Sequence, residues 1–543
     1  MVDGRSRRGM LVAVVSMLLV AGLASGVTTA GAGDAAVETD TRTDTDVGWT
    51  TAVDADVDGT ATTPQTTDRP TVGQQAIAAR NDEPGAVTLT FEYDIPSSVE
   101  ALRVNVPVTS LSGISVEEMD GFERTEQGWF RWDGETETPS FSLRLAVSDS
   151  LADGVRGVER DGWALVSEPN SRVQVRAPGQ PIRTRSFEVA ADEPGYADSH
   201  LAYLGDYDRR DVTVADENAT FILGAEGVDP ARATDFLRTA NERFDLGIQR
   251  ERVTVFVIPL REEETADIEA ATVDTAFWIG SSELALDETG SVFAHEYVHT
   301  RLGPTGRDDA TWLTEATAEY YGRVFALNDG VGSYDACLDG LRATEYAPDE
   351  QAVVLSERRT WRGTTAHYGK GAHVLAALDA QIQRRTGGER SLRDVFDGRS
   401  DPFQNYEAFR AAVIEVSGDE DLGPWLDRYV TTDDLPPLPE NPRYYVAAST
   451  VDTDGDGMEN GAELDQNRHP FVEGEGPTVA TVTSVDDTTT APTATDDADD
   501  RTEPTTAEQG TTGTTGNAPG FGVGIVVAAV ATLLVGVRVW TKP

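Results

Sequence analysis

The stretch AHEYVHT sets His295 and His299 four residues apart, with Glu296 directly after the first. On a helix that spacing stacks both imidazoles on one face. Two imidazoles so placed can share a Zn²⁺ ion, and the carboxylate beside them can act as a general base toward a water activated by the metal. A catalytic zinc also needs a third protein ligand and an open position. Downstream, DDATWLTEATAEYYG reads as a second helix, with Asp308 or Asp309 as its cap and Leu313, Ala316 and Tyr320 on its inner face. Glu315 is the expected third ligand. Glu319, one turn further on, is placed to hydrogen-bond a ligating imidazole.

HExxH followed by WLxEAxAEYY resembles the gluzincin metallopeptidases, and within them the aminopeptidase-N-like and glycyl-aminopeptidase-like branches. In those branches the Glu of WLxE is the third zinc ligand, which implies that role for Glu315. The run HYGKGAHVLAALDAQIQRRTGGERSLRDVF extends the resemblance. The family carries a Tyr just before a KG pair at a helix start, donating a hydrogen bond to the tetrahedral oxyanion; here it is Tyr368. EVSGDEDLGPWLDRYV is similar to the family's C-terminal helical region, so the resemblance spans residues 230–430. It implies a thermolysin-like, mostly α-helical (α+β) catalytic domain acting on a peptide or protein substrate. Zinc would lower the pKa of water and polarise the scissile carbonyl. Glu296 would take the proton and pass it to the leaving amine, while Tyr368 would share the oxyanion's charge. One motif departs: the GxMEN segment that grips a substrate's free amine in aminopeptidase-N-like members has no counterpart in TAFWIGSSELALDETG. Glu283 is the nearby carboxylate and receives no role, so the choice between aminopeptidase and endopeptidase stays open.

The remaining histidines read differently. His367 and His373 flank Tyr368 and are taken as structural or surface residues, and His200 and His469 carry no motif. Only two lysines occur, Lys370 and Lys542, and Lys370 falls inside the YGKG run. The single cysteine, Cys337, excludes an intrachain disulfide, and no histidine near it in sequence suggests a nucleophile.

The formal net charge is −50, from 94 acidic and 44 basic residues. An acidic, lysine-poor surface stays hydrated where concentrated salt screens its self-repulsion, as in a salt-loving organism. The same charge repels phosphate, so nucleic acid is not an expected partner. Both ends address a membrane. Arg5, Arg7 and Arg8 precede an apolar run and small residues, a secretory signal pattern over residues 1–32 that also resembles a twin-arginine signal. Residues 521–537 are apolar and just long enough to span a bilayer, with Arg538 and Lys542 on the inner side. Pro519, Gly520 and Phe521 before that span resemble the PGF-CTERM signal of archaeal surface proteins, in which the segment is replaced by a lipid anchor. Export and membrane anchorage, with the main chain extracellular, are expected.

Between these ends, residues 33–83 read as a disordered, Thr- and Asp-rich spacer. Alternation beginning at Val87, Leu89, Phe91 and Tyr93 predicts a β-sandwich-like domain over 84–195. The zinc domain is expected at 196–434, with Asp229 and Pro230 opening a helix whose buried face holds Phe236, Leu237, Ala240 and Phe244. Residues 435–450 read as a Pro-rich linker and 476–518 as a Thr/Asp-rich stalk before the anchor at 519–543. Between linker and stalk, DTDGDGMENGAE places Asp452, Asp454, Asp456, Asn460 and Glu463 at ligand positions of an EF-hand-like calcium loop, with Met458 offering its carbonyl. That loop, within 451–475, is expected to bind Ca²⁺ and stiffen the stalk. A calcium-binding surface protein that merely keeps a peptidase-like fold is the alternative reading.

Overall fold

The computed structural model describes residues 49–54 and 69–474, apart from 108–112, 148–156, 161, 199, 225–226, 245, 261–269, 287–291 and 400. The expected signal, the stalk, the anchor and most of the spacer lie outside the described residues. Among the described residues no helix is long and apolar enough to cross a membrane.

The N-terminal part is two sheets around one core. A six-stranded sheet runs in the order Val53–Asp54, Ile182–Val189, Thr71–Arg80, Ala86–Asp94, Ser140–Ala146, Ile114–Asp120. A five-stranded antiparallel sheet faces it, built around Ala101–Asn105 and Arg172–Arg176. Period-2 alternation sends Leu89, Phe91, Phe141, Val104, Phe130 and Val173 into the shared core, where the rings of Phe130 and Phe141 stack 4.0 Å apart. Thr71–Arg80 corrects the spacer expectation: it is a central strand, not disordered chain. Its sequence, TVGQQAIAAR, is poor in β-branched and aromatic residues, so propensity hid it. Burial of Val72, Gln74, Ala76 and Ala78 between two neighbours holds it in place.

A four-stranded antiparallel sheet joins this part to the next, in the order Gly157–Arg160, Trp163–Ser167, Leu201–Leu204, Gly195–Asp198. Ala164, Val166, Ala202 and Leu204 face the sandwich core. Trp163, Leu165, Leu201 and Tyr203 pack instead with Phe256, Ile258 and Trp278 of the following sheet. The expected domain boundary at 196 therefore cuts through a strand; the chain passes to the next sheet only at residues 205–207. That sheet runs Asp208–Val214, Glu217–Leu223, Arg252–Ile258, Ala276–Gly280, Ala270–Val273, parallel in its centre and antiparallel at both edges.

Helices complete the unit: α1 (Ala231–Arg243), α2 (Val292–Leu302), α3 (Trp312–Asn328), α4 (Tyr334–Leu341), α5 (Pro348–Gln351), α6 (Ala366–Arg385), α7 (Arg393–Phe396), α8 (Tyr406–Ser417), α9 (Leu422–Val430) and α10 (Asn460–Asp465). In α1 the predicted face Phe236, Leu237 and Ala240 is buried, and Asp229 Oδ1 accepts from the Ala231 N–H. The expected cap of α3 is corrected. Asp308 and Asp309 form a separate 3₁₀ turn, and Asp309 accepts from the Tyr406 N–H instead, tying α8 to the start of α3.

Residues 435–450 are not a free linker. Tyr445 is fully buried and Leu438 nearly so. His373 on α6 reaches the Pro436 carbonyl (2.7 Å), Tyr334 on α4 donates to the Glu440 carbonyl (2.6 Å), and Asn328 at the end of α3 donates to the Tyr445 carbonyl (2.7 Å). Pro436 has no N–H donor but keeps its carbonyl, and helix side chains use it together with the Glu440 and Tyr445 carbonyls to hold the segment as a strap.

Candidate metal centre

Helix α2 is buried on all sides from Val292 to Arg301, which suits a helix between a sheet and a second helix rather than one at the surface. Two glycines set the spacing of α2, α3 and α6. A Cβ at Gly322 of α3 would lie 3.1 Å from the His295 backbone nitrogen, and one at Gly371 of α6 would lie 2.5 Å from the Ala316 Cβ. Without those side chains α2, α3 and α6 stack closely enough for the inner-face groups to meet.

His295 Nε2 and His299 Nε2 are 3.1 Å apart, and Glu315 Oε2 stands 3.4 Å from the first and 3.3 Å from the second. Three ligands about 2.1 Å from a tetrahedral zinc would be about 3.4 Å from one another. Both Glu315 carboxylate oxygens are buried with no hydrogen-bond donor, a large cost unless a cation compensates it. The three residues therefore fit zinc. On the far side of the imidazole, Glu319 Oε2 lies 3.3 Å from His295 Nδ1, and Arg323 donates to Glu319 Oε1 (2.9 and 2.5 Å). Glu319, held by Arg323, is thus placed behind the ring, where a carboxylate strengthens an imidazole as a metal ligand.

Electrostatics follow the same layout. Burial works against a charged His295, but Glu315 and Glu319 outweigh it and raise the imidazole to about 10. Burial also works against the Glu315 anion, yet His299 and His295 hold it down to about 2. Arg323 and His295 hold Glu319 far below the usual carboxylate range against the same burial.

Glu296 behaves oppositely. It is completely buried, and burial raises its carboxyl against the pull of His299, His295 and a hydrogen bond from Thr272. Thr272 Oγ1 stands 2.5 Å from Glu296 Oε2 and 3.1 Å from its carbonyl, while Oε1 has no partner. A buried carboxylate with one oxygen fixed and the other free is equipped to accept a proton.

Tyr368 lies beside these groups: its ring centroid is 5.9 Å from that of His295, with 20° between the planes. His367 stacks on Trp361 (4.9 Å, 5°) and packs edge-on against Tyr368 (4.5 Å), forming a wall beside the tyrosine. His373 points elsewhere, with both ring nitrogens at backbone carbonyls. Lys370 is buried and donates to the Gln351 and Val353 carbonyls (3.0 and 2.6 Å), holding the segment before α6. Burial pushes the Cys337 thiol up to about 12, so it is inert. Two contributors went unread in the sequence. Arg323 had a usable signal, since it follows Glu319 by one helical turn. Thr272 had none, because a strand 24 residues before Glu296 meets it only through the fold.

A second acidic cluster occurs at the C-terminal loop. Carboxylate oxygens of Asp452, Asp454 and Asp456 lie within 4.8 Å of one another. Asn460, expected among the ligands, is engaged within the loop. It is fully buried, its Oδ1 accepts from the Thr453 N–H, and its Nδ2 donates to the Ala448 carbonyl and Thr453 Oγ1. These bonds close the loop on itself.

No protein-family model matches the chain, and no curated protein does. Among solved structures, an aminopeptidase N family protein from Idiomarina loihiensis is 10% identical, covering 68% of this chain and 77% of its own, with a TM-score of 0.45. A mutant M1 zinc metallopeptidase from Deinococcus radiodurans, bound to a Tyr-Ser-Ala substrate, is 17% identical over 69% of this chain and 96% of its own, also at 0.45. Aminopeptidase A of Legionella pneumophila, in complex with aspartic acid, is 11% identical over 71% and 49%, at 0.38.

Proposed function

We propose that this chain is a zinc-dependent metallopeptidase. The observation that carries the reading is the triangle of His295, His299 and Glu315 ligand atoms with sides of 3.1 to 3.4 Å, next to a buried Glu296. Zinc held there would supply Lewis acidity toward water and the scissile carbonyl. Glu296 Oε1 accepts the proton of the attacking water and delivers it to the leaving amine. Tyr368, braced by His367, donates to the oxygen on which negative charge develops. The strand Ala270–Val273 is a sheet edge and carries Thr272 against Glu296. An extended peptide added to that edge would bring its backbone past the metal ligands. Exo or endo action stays open, as no counterpart of the amine-gripping motif occurs.

Export, anchorage at the cell surface and work in high salt belong to this proposal through the terminal segments and the charge of −50. The same charge speaks against nucleic acid as a partner. Calcium enters as a structural ion. An intact, buried Glu296 weighs against a non-catalytic calcium-binding protein. The test is zinc content and hydrolysis of casein and aminoacyl amides in concentrated salt. Glu296→Gln should keep its zinc and lose about 10²- to 10⁴-fold in turnover. Undiminished hydrolysis by that variant, or purified protein devoid of transition metal, refutes the proposal.

A further inference from the structure

The C-terminal loop lies far in sequence from the zinc ligands, yet its hydrogen bonds lead back to the helix that carries one of them. Three aspartates in a glycine-containing loop are not by themselves a site. The independent observation is Glu463. It is 1% exposed, and its Oε2 has no hydrogen-bond partner. The like charges acting on it are those of Asp454, Asp456 and Asp452. Asp454 Oδ2 is likewise buried and unpartnered. Arg468 donates to Asp456 Oδ2 (2.8 Å) but leaves a clear surplus of negative charge. Hard carboxylate oxygens with no donor facing them call for a hard divalent cation.

The loop is fastened at its base. The Asn460 and Gly461 N–H groups donate to the Val451 and Ser449 carbonyls, and Asn460 Nδ2 donates to the Ala448 carbonyl. Immediately before, Asn328, the last residue of α3, donates to the Tyr445 carbonyl and accepts from the Ala447 N–H. Beyond the loop, His469 and Phe471 pack on Tyr334 of α4, with ring centroids 4.7 and 5.9 Å away. The loop thus sits between two attachments to the catalytic helices.

We propose that Asp452, Asp454, Asp456 and Glu463 hold one Ca²⁺ ion, with Asn460 as the loop's internal tie, and that this ion locks the C-terminal strap onto the ends of α3 and α4. It is a clamp on the catalytic unit rather than a stiffener of the stalk. The clamp does not depend on the peptidase reading. The full chain carrying Glu296→Gln, which rules out self-digestion, is used for the test. Equilibrium dialysis with radioactive calcium should find one ion per chain. Calcium at 100-fold excess over its Kd should raise Tm by about 3 °C and slow proteolytic cleavage between residues 435 and 474. Asp454→Asn and Glu463→Gln should each abolish both responses while zinc content stays at one per chain. No bound calcium in the Glu296→Gln chain overturns the site. Binding without a change in Tm or cleavage overturns the clamp, and an equal Tm shift with Mg²⁺ overturns the choice of calcium. A zinc-free protein that still shows the calcium shift would sink the peptidase reading alone.

Discussion

The two acidic clusters are built in opposite ways. The ligands at the α2–α3 pair come from two helices and are aligned by what packs behind them: Gly322 against His295, Arg323 behind Glu319, Thr272 beside Glu296. The carboxylates of the C-terminal loop come from twelve consecutive residues whose own backbone turns them inward. The first cluster should therefore respond to substitutions outside its own three residues, whereas the second should depend on its own residues and on the strap beneath it. A ligand pattern tells which side chains have suitable chemistry, but not which are already engaged, and Asn460 was.

Three substitutions would break or sharpen that contrast. The largest effect is expected from Glu319→Gln, which removes the anion behind His295. Zinc affinity should weaken about 10- to 100-fold, measured by competition with a chromogenic chelator, while the calcium titration stays unchanged. Unaltered zinc affinity would mean that the helices alone position the imidazole. Thr272→Val comes next. Loss of one hydrogen bond to a carboxylate, about 1.5 kcal/mol, should lower kcat roughly tenfold with little change in KM. A rise in KM alone would make Thr272 a substrate contact and not a positioner of Glu296.

The smallest effect concerns Lys370, which holds the approach to α6 on the zinc side. Burial lowers its pKa to about 8, against Asp433 and Asp434. Between pH 8 and the ordinary lysine value the unfolded chain keeps a proton that the folded chain has released, so stability contributed through this group rises with pH over that window. Lys370→Met should remove that rise. Denaturant titrations of both proteins at pH 7.5 and 10 would show it as a difference that grows at the higher pH. A constant difference would mean that the buried amine does not titrate there.

The sequence by itself settled which residue types could meet. Helical spacing brings His295 and His299 onto one face because an α-helix repeats every 3.6 residues, and alternation from Val87 onward marks strands because side chains flip at every residue. Those are local rules. Thr71–Arg80 escaped them, since its place depends on the two strands it pairs with and not on its own propensity. The strap at 435–450 escaped them as well, because proline-rich chain looks like linker until helix side chains claim its carbonyls. Only the tertiary structure decided that Thr272 meets Glu296, that α3 comes close enough for Glu315 to reach both imidazoles, and that the acidic C-terminal loop is tied to the far end of that helix. These contacts join segments distant in sequence, and their positions are fixed by close packing, which no local pattern encodes.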